Sequence, residues 1–96
     1  MKKPTKANAE KFMQDIEGDQ VFFLGDGSVF KNLKELASGL RKMKKDQYTY
    51  HVNAEKNDFA NWVQFVIGDK DLSAEMRKAK SKAALVKTLS ARLKQY

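Results

Sequence analysis

Apolar side chains recur every three or four positions along most of the chain, which is the spacing of helices that bury one face. Asn32 and Asp58 are expected to cap helices at the N-terminus, and Gly18 and Gly68 are expected to end them. The pattern predicts five helices, over residues 6–17, 33–44 and 59–67, from Asp71 to a break near Ser81, and over about 82–95.

Three shorter segments have the composition of strands. Residues 20–24 and 28–30 are rich in Val and Phe, and Asp26 and Gly27 between them form a strong turn signal, so a hairpin is expected. Residues 48–52 alternate large and polar side chains, which is typical of a half-buried strand. The sequence therefore predicts an α+β fold in which a three-stranded antiparallel sheet is covered by about five helices.

The helix over 59–67 is expected to lie at the centre of the core. Its apolar side chains form a wide arc, and Phe65 widens that arc so far that the helix should be buried on most sides. The last helix has an apolar stripe that would either pack on the sheet or pair with a second copy in a homodimer. This stripe consists of Leu85, Val86, Leu89 and Leu93.

The length and composition indicate one small domain, residues 1–96, with residues 1–5 as a flexible tail. No cysteine is present, which excludes disulfides and thiolate zinc sites. The basic N-terminus lacks the apolar stretch of a signal peptide, and no apolar run approaches the roughly 18 residues of a membrane span. We therefore expect a soluble, cytoplasmic protein without membrane contact.

The formal charge of +7 is concentrated near the C-terminus. Residues 73–96 contribute +6, whereas residues 1–72, with 12 basic and 11 acidic side chains, contribute +1. Such asymmetry is typical of proteins that bind a polyanion, although a solvated lysine-rich face has the same composition. The basic side chains of the C-terminal region, which we expect to hold phosphates, are Arg77, Lys78, Lys80, Lys82, Lys87, Arg92 and Lys94.

A second, shorter basic stripe lies on the second predicted helix. Lys34, Arg41 and Lys45 share one flank at helical spacing, and Lys42 and Lys44 adjoin them. Lysine outnumbers arginine 16 to 3 in the chain, and lysine lacks the bidentate fork by which arginine reads base edges. Nucleic-acid binding is therefore expected to be largely independent of sequence, with Lys42, Lys44 and Lys45 as supporting contacts.

A polar segment precedes the central helix and admits two interpretations. His51, Asn57 and Asp58, together with Asn53, would form a small site for a ligand or a partner peptide. The alternative is architectural, in which Asp58 caps the helix, the asparagines satisfy a turn and His51 bonds a loop carbonyl. A metal site would need Asp69 as a further ligand, and because the spacing matches no ligand motif, no metal is expected.

The common catalytic motifs are missing from the chain. No serine lies in a Gly-x-Ser-x-Gly turn. The sequence Gly25-Asp26-Gly27 carries an acid where a phosphate would sit and lacks the Lys-Ser/Thr of a phosphate-binding loop. We therefore expect a protein that is not an enzyme and that uses no cofactor.

Five short segments follow one another between residues 21 and 72. They are FFLGDG, NLKEL, Tyr-x-Tyr-His-Val, KNDFANWV and Ile-Gly-Asp-x-x-Leu. Together they resemble a small family of archaeal and bacterial domains of unknown function. The resemblance covers about half of the chain and implies no particular activity, because the family has no established one. The lysine-rich region after residue 76 lies outside it.

Two functions are compatible with these observations. The first is a small basic protein that binds DNA or RNA through its lysine-rich C-terminal helices. The alternative is an adaptor that docks an acidic protein partner through the segment 51–58 or through the last helix and does not bind nucleic acid. In either case the chain would be a monomer or a homodimer.

Overall fold

A computed structural model describes all 96 residues of the chain. Its architecture is α+β, as predicted, with six helices and one two-stranded antiparallel sheet. The strands are β1 (Phe22–Phe23) and β2 (Val29–Phe30). The helices are α1 (Lys6–Phe12), α2 (Leu33–Lys42), α3 (Lys45–His51), α4 (Asp58–Trp62), α5 (Lys70–Lys78) and α6 (Lys82–Gln95).

Side-chain caps begin five of the six helices. In each case the cap accepts a hydrogen bond from the backbone N–H three residues ahead, at 2.8 to 3.2 Å, which satisfies one of the free donors of the first turn. The caps are Thr5, Asn32, Asn57, Asp69 and Ser81. Asn32 caps α2 as predicted, whereas the cap predicted at Asp58 is wrong by one residue, because Asn57 accepts the hydrogen bond and Asp58 begins α4.

Helix α1 ends at Phe12, earlier than the predicted end near Gly18. The backbone N–H of Ile16 donates to the Lys31 carbonyl oxygen at 2.7 Å, so this segment is bonded to the end of β2 and does not continue the helix. Gly18 instead begins a short 3-10 turn, Gly18–Gln20, that leads into β1.

The predicted hairpin is confirmed and is shorter than expected. Phe22 pairs with Phe30 and faces the core, and Phe23 pairs with Val29 and faces solvent. Between the strands, Gly25 has a φ of 100°, a left-handed conformation that side chains other than glycine rarely adopt.

The third predicted strand, over residues 48–52, is wrong, because these residues form most of α3 and its end. Tyr48 and His51 are also spaced for one face of a helix, and that face packs on Phe59. The ring centroids lie 6.5 Å apart for Tyr48 and Phe59 and 5.3 Å apart for His51 and Phe59. Tyr50 points away from this face and is exposed. The sheet therefore has two strands, and α3 is the helix that raises the number from the five predicted to six.

Helix α2 buries the face that the sequence predicts. Its core side chains, Leu33, Leu36, Ala37 and Leu40, are all at most 1 % exposed. Gly39 lies so close to β2 that a Cβ atom at this position would overlap the ring of Phe30. This close approach brings the sheet onto α2.

The centre of the core is α4 together with a π-helical turn, Val63–Ile67, that continues it. Val63 is fully buried, and Trp62 Nε1 donates to the Gln20 carbonyl oxygen at 2.8 Å. Phe65 is 76 % exposed, so the prediction that it widens the buried arc is wrong. Two residues correspond to about half of a helical turn, which places Phe65 on the side opposite Val63.

Helices α5 and α6 complete the single core through fully buried side chains. The stripe on α6 packs inside the protein against α2 and α5, and not on the sheet, so its fully buried leucines are not available to a second copy. The buried side chains of the two helices are Leu72, Met76, Leu85 and Leu89, with Val86 and Leu93 partly buried against them.

Candidate nucleic-acid interface

Helices α2 and α6 pack against each other, and two side chains connect their outer edges. Arg41 Nη2 donates to Ser90 Oγ at 2.8 Å. Lys82 Nζ donates to the Met43 carbonyl oxygen, just beyond α2, at 2.7 Å. These contacts place the basic stripe of α2 next to that of α6, although the two stripes are separate in the sequence.

A cleft marks each end of this junction. The first, of about 290 Å³, is lined by Lys45 and Lys82, among others. The second, of about 350 Å³, is lined by Lys34 and by Leu93, near the other end of α6. The start of α6 lies next to the end of α2, and the end of α6 lies next to the start of α2. The two helices therefore run antiparallel.

We use the name α2–α6 basic face for the cations along this junction. Lys87 and Lys94 lie three or four residues from Ser90 and therefore on the same side of α6. All members are exposed except Lys82, which is half-buried. The face consists of Lys34, Arg41, Lys45, Lys82, Lys87 and Lys94.

Few carboxylates lie close to this face. Helix α6 carries none over its 14 residues, which extend for about 21 Å. Glu35 of α2 accepts a hydrogen bond from the backbone N–H of Lys31 at 2.8 Å, which holds its carboxylate at the helix start. Glu10 borders the cleft beside Lys34. These two carboxylates weaken the positive potential near Lys34.

Two of the predicted phosphate-binding residues lie on α5 and are engaged in other contacts. Arg77 Nη2 donates to Asn61 Oδ1 at 2.9 Å and to Gln64 Oε1 at 2.7 Å, which directs it toward α4. Lys78 forms an exposed ion pair with Glu75 at 3.2 Å. Glu75 therefore partly neutralises Lys78, and Arg77 is held beside α4 and not beside the α2–α6 basic face.

The remaining predicted lysines lie in connecting segments or at the end of a helix. Lys80 is exposed between α5 and α6. Lys42 ends α2, and Lys44 precedes the first residue of α3, and both are exposed. Because they adjoin the junction, Lys42 and Lys44 can support contacts made by the face.

The prediction that Arg92 holds a phosphate is wrong. Its side chain is buried, with 1 % of the residue exposed, and it donates to both carboxylate oxygens of Asp69, at 2.8 and 2.9 Å. Arg92 Nη1 also donates to the carbonyl oxygen of Lys2 at 2.6 Å. The N-terminal segment, predicted as a flexible tail, is therefore bonded to α6 by this contact and by one from Gln95 to the Met1 carbonyl oxygen.

The Arg92–Asp69 pair is completed by Tyr96, whose hydroxyl donates to Asp69 Oδ2. Burial would raise the pKa of Asp69, but the hydrogen bonds from Arg92, Tyr96 and the Leu72 N–H outweigh it and hold that pKa below its ordinary value. The bond to Asp69 raises the pKa of Arg92. Burial, together with the bond to Asp69, raises the pKa of Tyr96. The cluster is saturated with internal partners, so its role is structural.

The polar segment before α4 has the contacts of its architectural interpretation. His51 is 6 % exposed, with Nδ1 at 2.8 Å from Asp58 Oδ2 and Nε2 at 3.2 Å from the Leu24 carbonyl oxygen. Asn57 caps α4, and Asn53 Oδ1 accepts the Glu55 N–H in a turn. Burial would raise the pKa of Asp58, but hydrogen bonds from His51 and Lys56 lower it. A cleft of about 410 Å³ is lined by His51 together with Asp26 and Tyr50, but both ring nitrogens of His51 are already bonded within the protein.

Sequence reasoning did not reveal how the two basic stripes meet. The signal was present in part, since Lys34 and Arg41 share a flank of α2. The prediction that Lys45 continues this flank is wrong, because α2 ends at Lys42 and Lys45 begins α3. The missing information was the partner of that flank, and a small residue such as Ser90 gives no indication that it will accept a hydrogen bond from Arg41.

No three His, Cys, Asp or Glu side chains in the structure are grouped so that they could hold a metal ion. None of the helices combines the length and the apolar character that crossing a membrane requires.

Comparisons with known proteins leave the chain without an assigned family. No family model, no curated protein and no solved structure matches it. The resemblance of residues 21–72 to a small domain family therefore stays an expectation.

Proposed function

We propose that the protein binds the phosphate backbone of nucleic acids through the α2–α6 basic face, without reading the base sequence. The observation that carries this proposal is the hydrogen bond from Arg41 to Ser90, because it joins two basic stripes into one surface. A surface with cations from two helices can contact several phosphates at once, and each contact releases counterions.

The dimensions of the face are compatible with this function. Helix α6 extends for about 21 Å, and successive phosphates along one strand of duplex DNA advance by about 3.4 Å along its axis. The face therefore spans about six nucleotides. Five of its six cations are lysines, which bind phosphate as point charges and favour little discrimination between bases.

Binding to labelled single-stranded DNA, duplex DNA and RNA, each in two unrelated sequences, tests the proposal by fluorescence anisotropy. We expect dissociation constants on the order of 10⁻⁴ to 10⁻⁶ M at physiological salt, similar for the two sequences of each kind. No binding even at low salt would contradict the proposal.

Variants then test which surface is used. Lys34→Gln/Arg41→Gln removes charge from α2, and Lys87→Gln/Lys94→Gln removes the same charge from α6. Both should weaken binding, whereas Lys70→Gln/Lys78→Gln, an equal change on α5, should have a much smaller effect. Equal losses in all three double variants would show that net charge matters and that the α2–α6 basic face does not.

A further inference from the structure

One segment of the chain is acidic, in contrast to the basic C-terminal region. Residues 12–30 contain four carboxylates and no lysine or arginine, in a protein whose formal charge is +7. This segment runs from the end of α1 through the hairpin. Its carboxylates are Asp15, Glu17, Asp19 and Asp26.

Three of these carboxylates lie close to the hairpin. Asp19 is in the 3-10 turn immediately before β1. Asp26 lies in the turn between the strands, where its Oδ1 accepts the Ser28 N–H at 2.9 Å. Asp15 Oδ1 accepts a hydrogen bond from Asn32 Nδ2, two residues beyond β2, at 2.8 Å. Negative charge therefore lies at both ends of the two-stranded sheet.

Between these charges, the outer face of the hairpin is apolar and open. Phe23 is 59 % exposed and Val29, its cross-strand partner, is 40 % exposed. The opposite face of the same strands, formed by Phe22 and Phe30, is buried in the core. More than half of the Phe23 side chain gains no burial in the isolated protein, and with Val29 beside it the exposed surface is a contiguous apolar patch, the kind of surface that marks an interaction site.

We infer that the outer face of the hairpin docks a protein segment that carries both basic and apolar side chains. Phe23 and Val29 would bury the apolar side chains, and Asp15, Asp19 and Asp26 would attract the basic ones. Phosphates would be repelled by these carboxylates, so this surface is distinct from the proposed nucleic-acid interface. A second copy is a poorer occupant, because Leu85 and Leu89 of its basic α6 are buried in its own core.

Two short synthetic peptides test this inference. One alternates leucine and lysine as an amphipathic segment, and the other has serine in place of each leucine and the same charge. Measured by fluorescence anisotropy with the full chain, the leucine peptide should bind about tenfold more tightly than the serine peptide. Equal binding of the two peptides would overturn the inference, because charge alone would then account for the attraction.

Variants locate the binding surface. Phe23→Ser should weaken binding of the leucine peptide at least about fivefold, and Asp19→Asn should weaken it less and make it less sensitive to salt. Phe65→Ser removes an even more exposed aromatic ring outside the hairpin and should change nothing. An equal loss in Phe65→Ser, or no loss in Phe23→Ser, would contradict the assignment.

Two further measurements distinguish the hairpin surface from the α2–α6 basic face and from a dimer interface. Phe23→Ser should leave binding to DNA unchanged. The proposed nucleic-acid interface and the proposed hairpin surface can therefore fail independently of each other. Light scattering should give a mass near the 11.0 kDa of one chain. A dimer that dissociates in Phe23→Ser would overturn the inference by showing that a second copy is the occupant.

Discussion

Arg92 and Asp69 face each other inside the protein through two hydrogen bonds, from Nε to Oδ2 at 2.8 Å and from Nη2 to Oδ1 at 2.9 Å. The pair joins α6 to the cap of α5, and the bond from Arg92 to the Lys2 carbonyl oxygen adds the N-terminal segment. One cation of the basic C-terminal region, Arg92, thus stabilises the fold from inside the protein, whereas the other cations of this region are not buried.

We expect the Asp69→Asn variant to be strongly destabilised. Removing one partner of a buried ion pair leaves the other charge without compensation, at a cost of about 3–5 kcal/mol in the free energy of unfolding. The amide introduced by this substitution has a single acceptor oxygen, so it also accepts fewer hydrogen bonds from Arg92 and Tyr96 than the carboxylate does. Urea denaturation followed by circular dichroism measures the difference.

The Glu75→Gln variant is the matched control for Asp69→Asn, because it breaks the exposed pair with Lys78. Its cost should be at most about 1 kcal/mol. If both substitutions cost the same, the buried pair does not contribute as the structure indicates.

The lowered pKa of Asp58 predicts a dependence of stability on pH. Because the pKa in the folded state lies below the ordinary 3.8, ionised Asp58 stabilises the protein above about pH 3.8, and this contribution is lost as the pH falls through the folded-state pKa. Unfolding free energies measured from about pH 5 downward should therefore fall more steeply in the wild type than in Asp58→Asn. Asp26 and Asp69, whose pKa values are also lowered, titrate in both proteins and do not affect the comparison. If the unfolding free energies of the two proteins fall equally steeply with decreasing pH, the prediction is contradicted.

We expect Gly39→Ala to destabilise the protein although alanine favours helices. The new Cβ atom would overlap the Phe30 ring, with an overpacking cost of about 1–3 kcal/mol. The gain in helix propensity of about 1 kcal/mol offsets only part of this cost. The unfolding temperature of Gly39→Ala should therefore be lower than that of the wild type. Adding Phe30→Leu to the same chain should partly restore it.

Ser38→Ala, one residue earlier on the exposed side of α2, is the control for the substitution at Gly39. It should leave the unfolding temperature nearly unchanged. A Gly39→Ala protein as stable as Ser38→Ala would show that Phe30 moves aside easily and that the close approach does not constrain the fold.

The helices with long and regular apolar stripes could be predicted from the sequence. Leu33, Leu36 and Leu40 define the buried face of α2, and Asn32 marks its start, because local spacing and capping agree there. The segment 48–52 could not be assigned from periodicity, since Tyr48, His51 and Val52 fit a helix as well as alternation fits a strand. Packing of Tyr48 and His51 on Phe59 favours the helix.

Charge patterns revealed the candidate site only in part. Lys34 and Arg41 on α2 and Lys87 and Lys94 on α6 were visible as two stripes, whereas Lys45, predicted on the first stripe, begins α3. Their meeting depends on how α2 and α6 pack, which no local pattern encodes.

Two other side chains differ from their predictions for a similar reason. Composition counts Arg92 as a surface cation, but its partner Asp69 lies 23 residues away in the chain. The apolar character of Phe65 suggests burial, but its exposure is decided by which side of the π-helical turn is covered by the rest of the protein.

The salt dependence of DNA binding tests the central claim most directly. Each phosphate contact contributes about −0.9 to the slope of log K against log salt concentration for duplex DNA. The Lys87→Gln/Lys94→Gln variant should therefore have a slope shallower than that of the wild type by about 1 to 2, whereas Lys70→Gln/Lys78→Gln should keep the wild-type slope. If the slope is unchanged by removing Lys87 and Lys94, the α2–α6 basic face does not hold the phosphates.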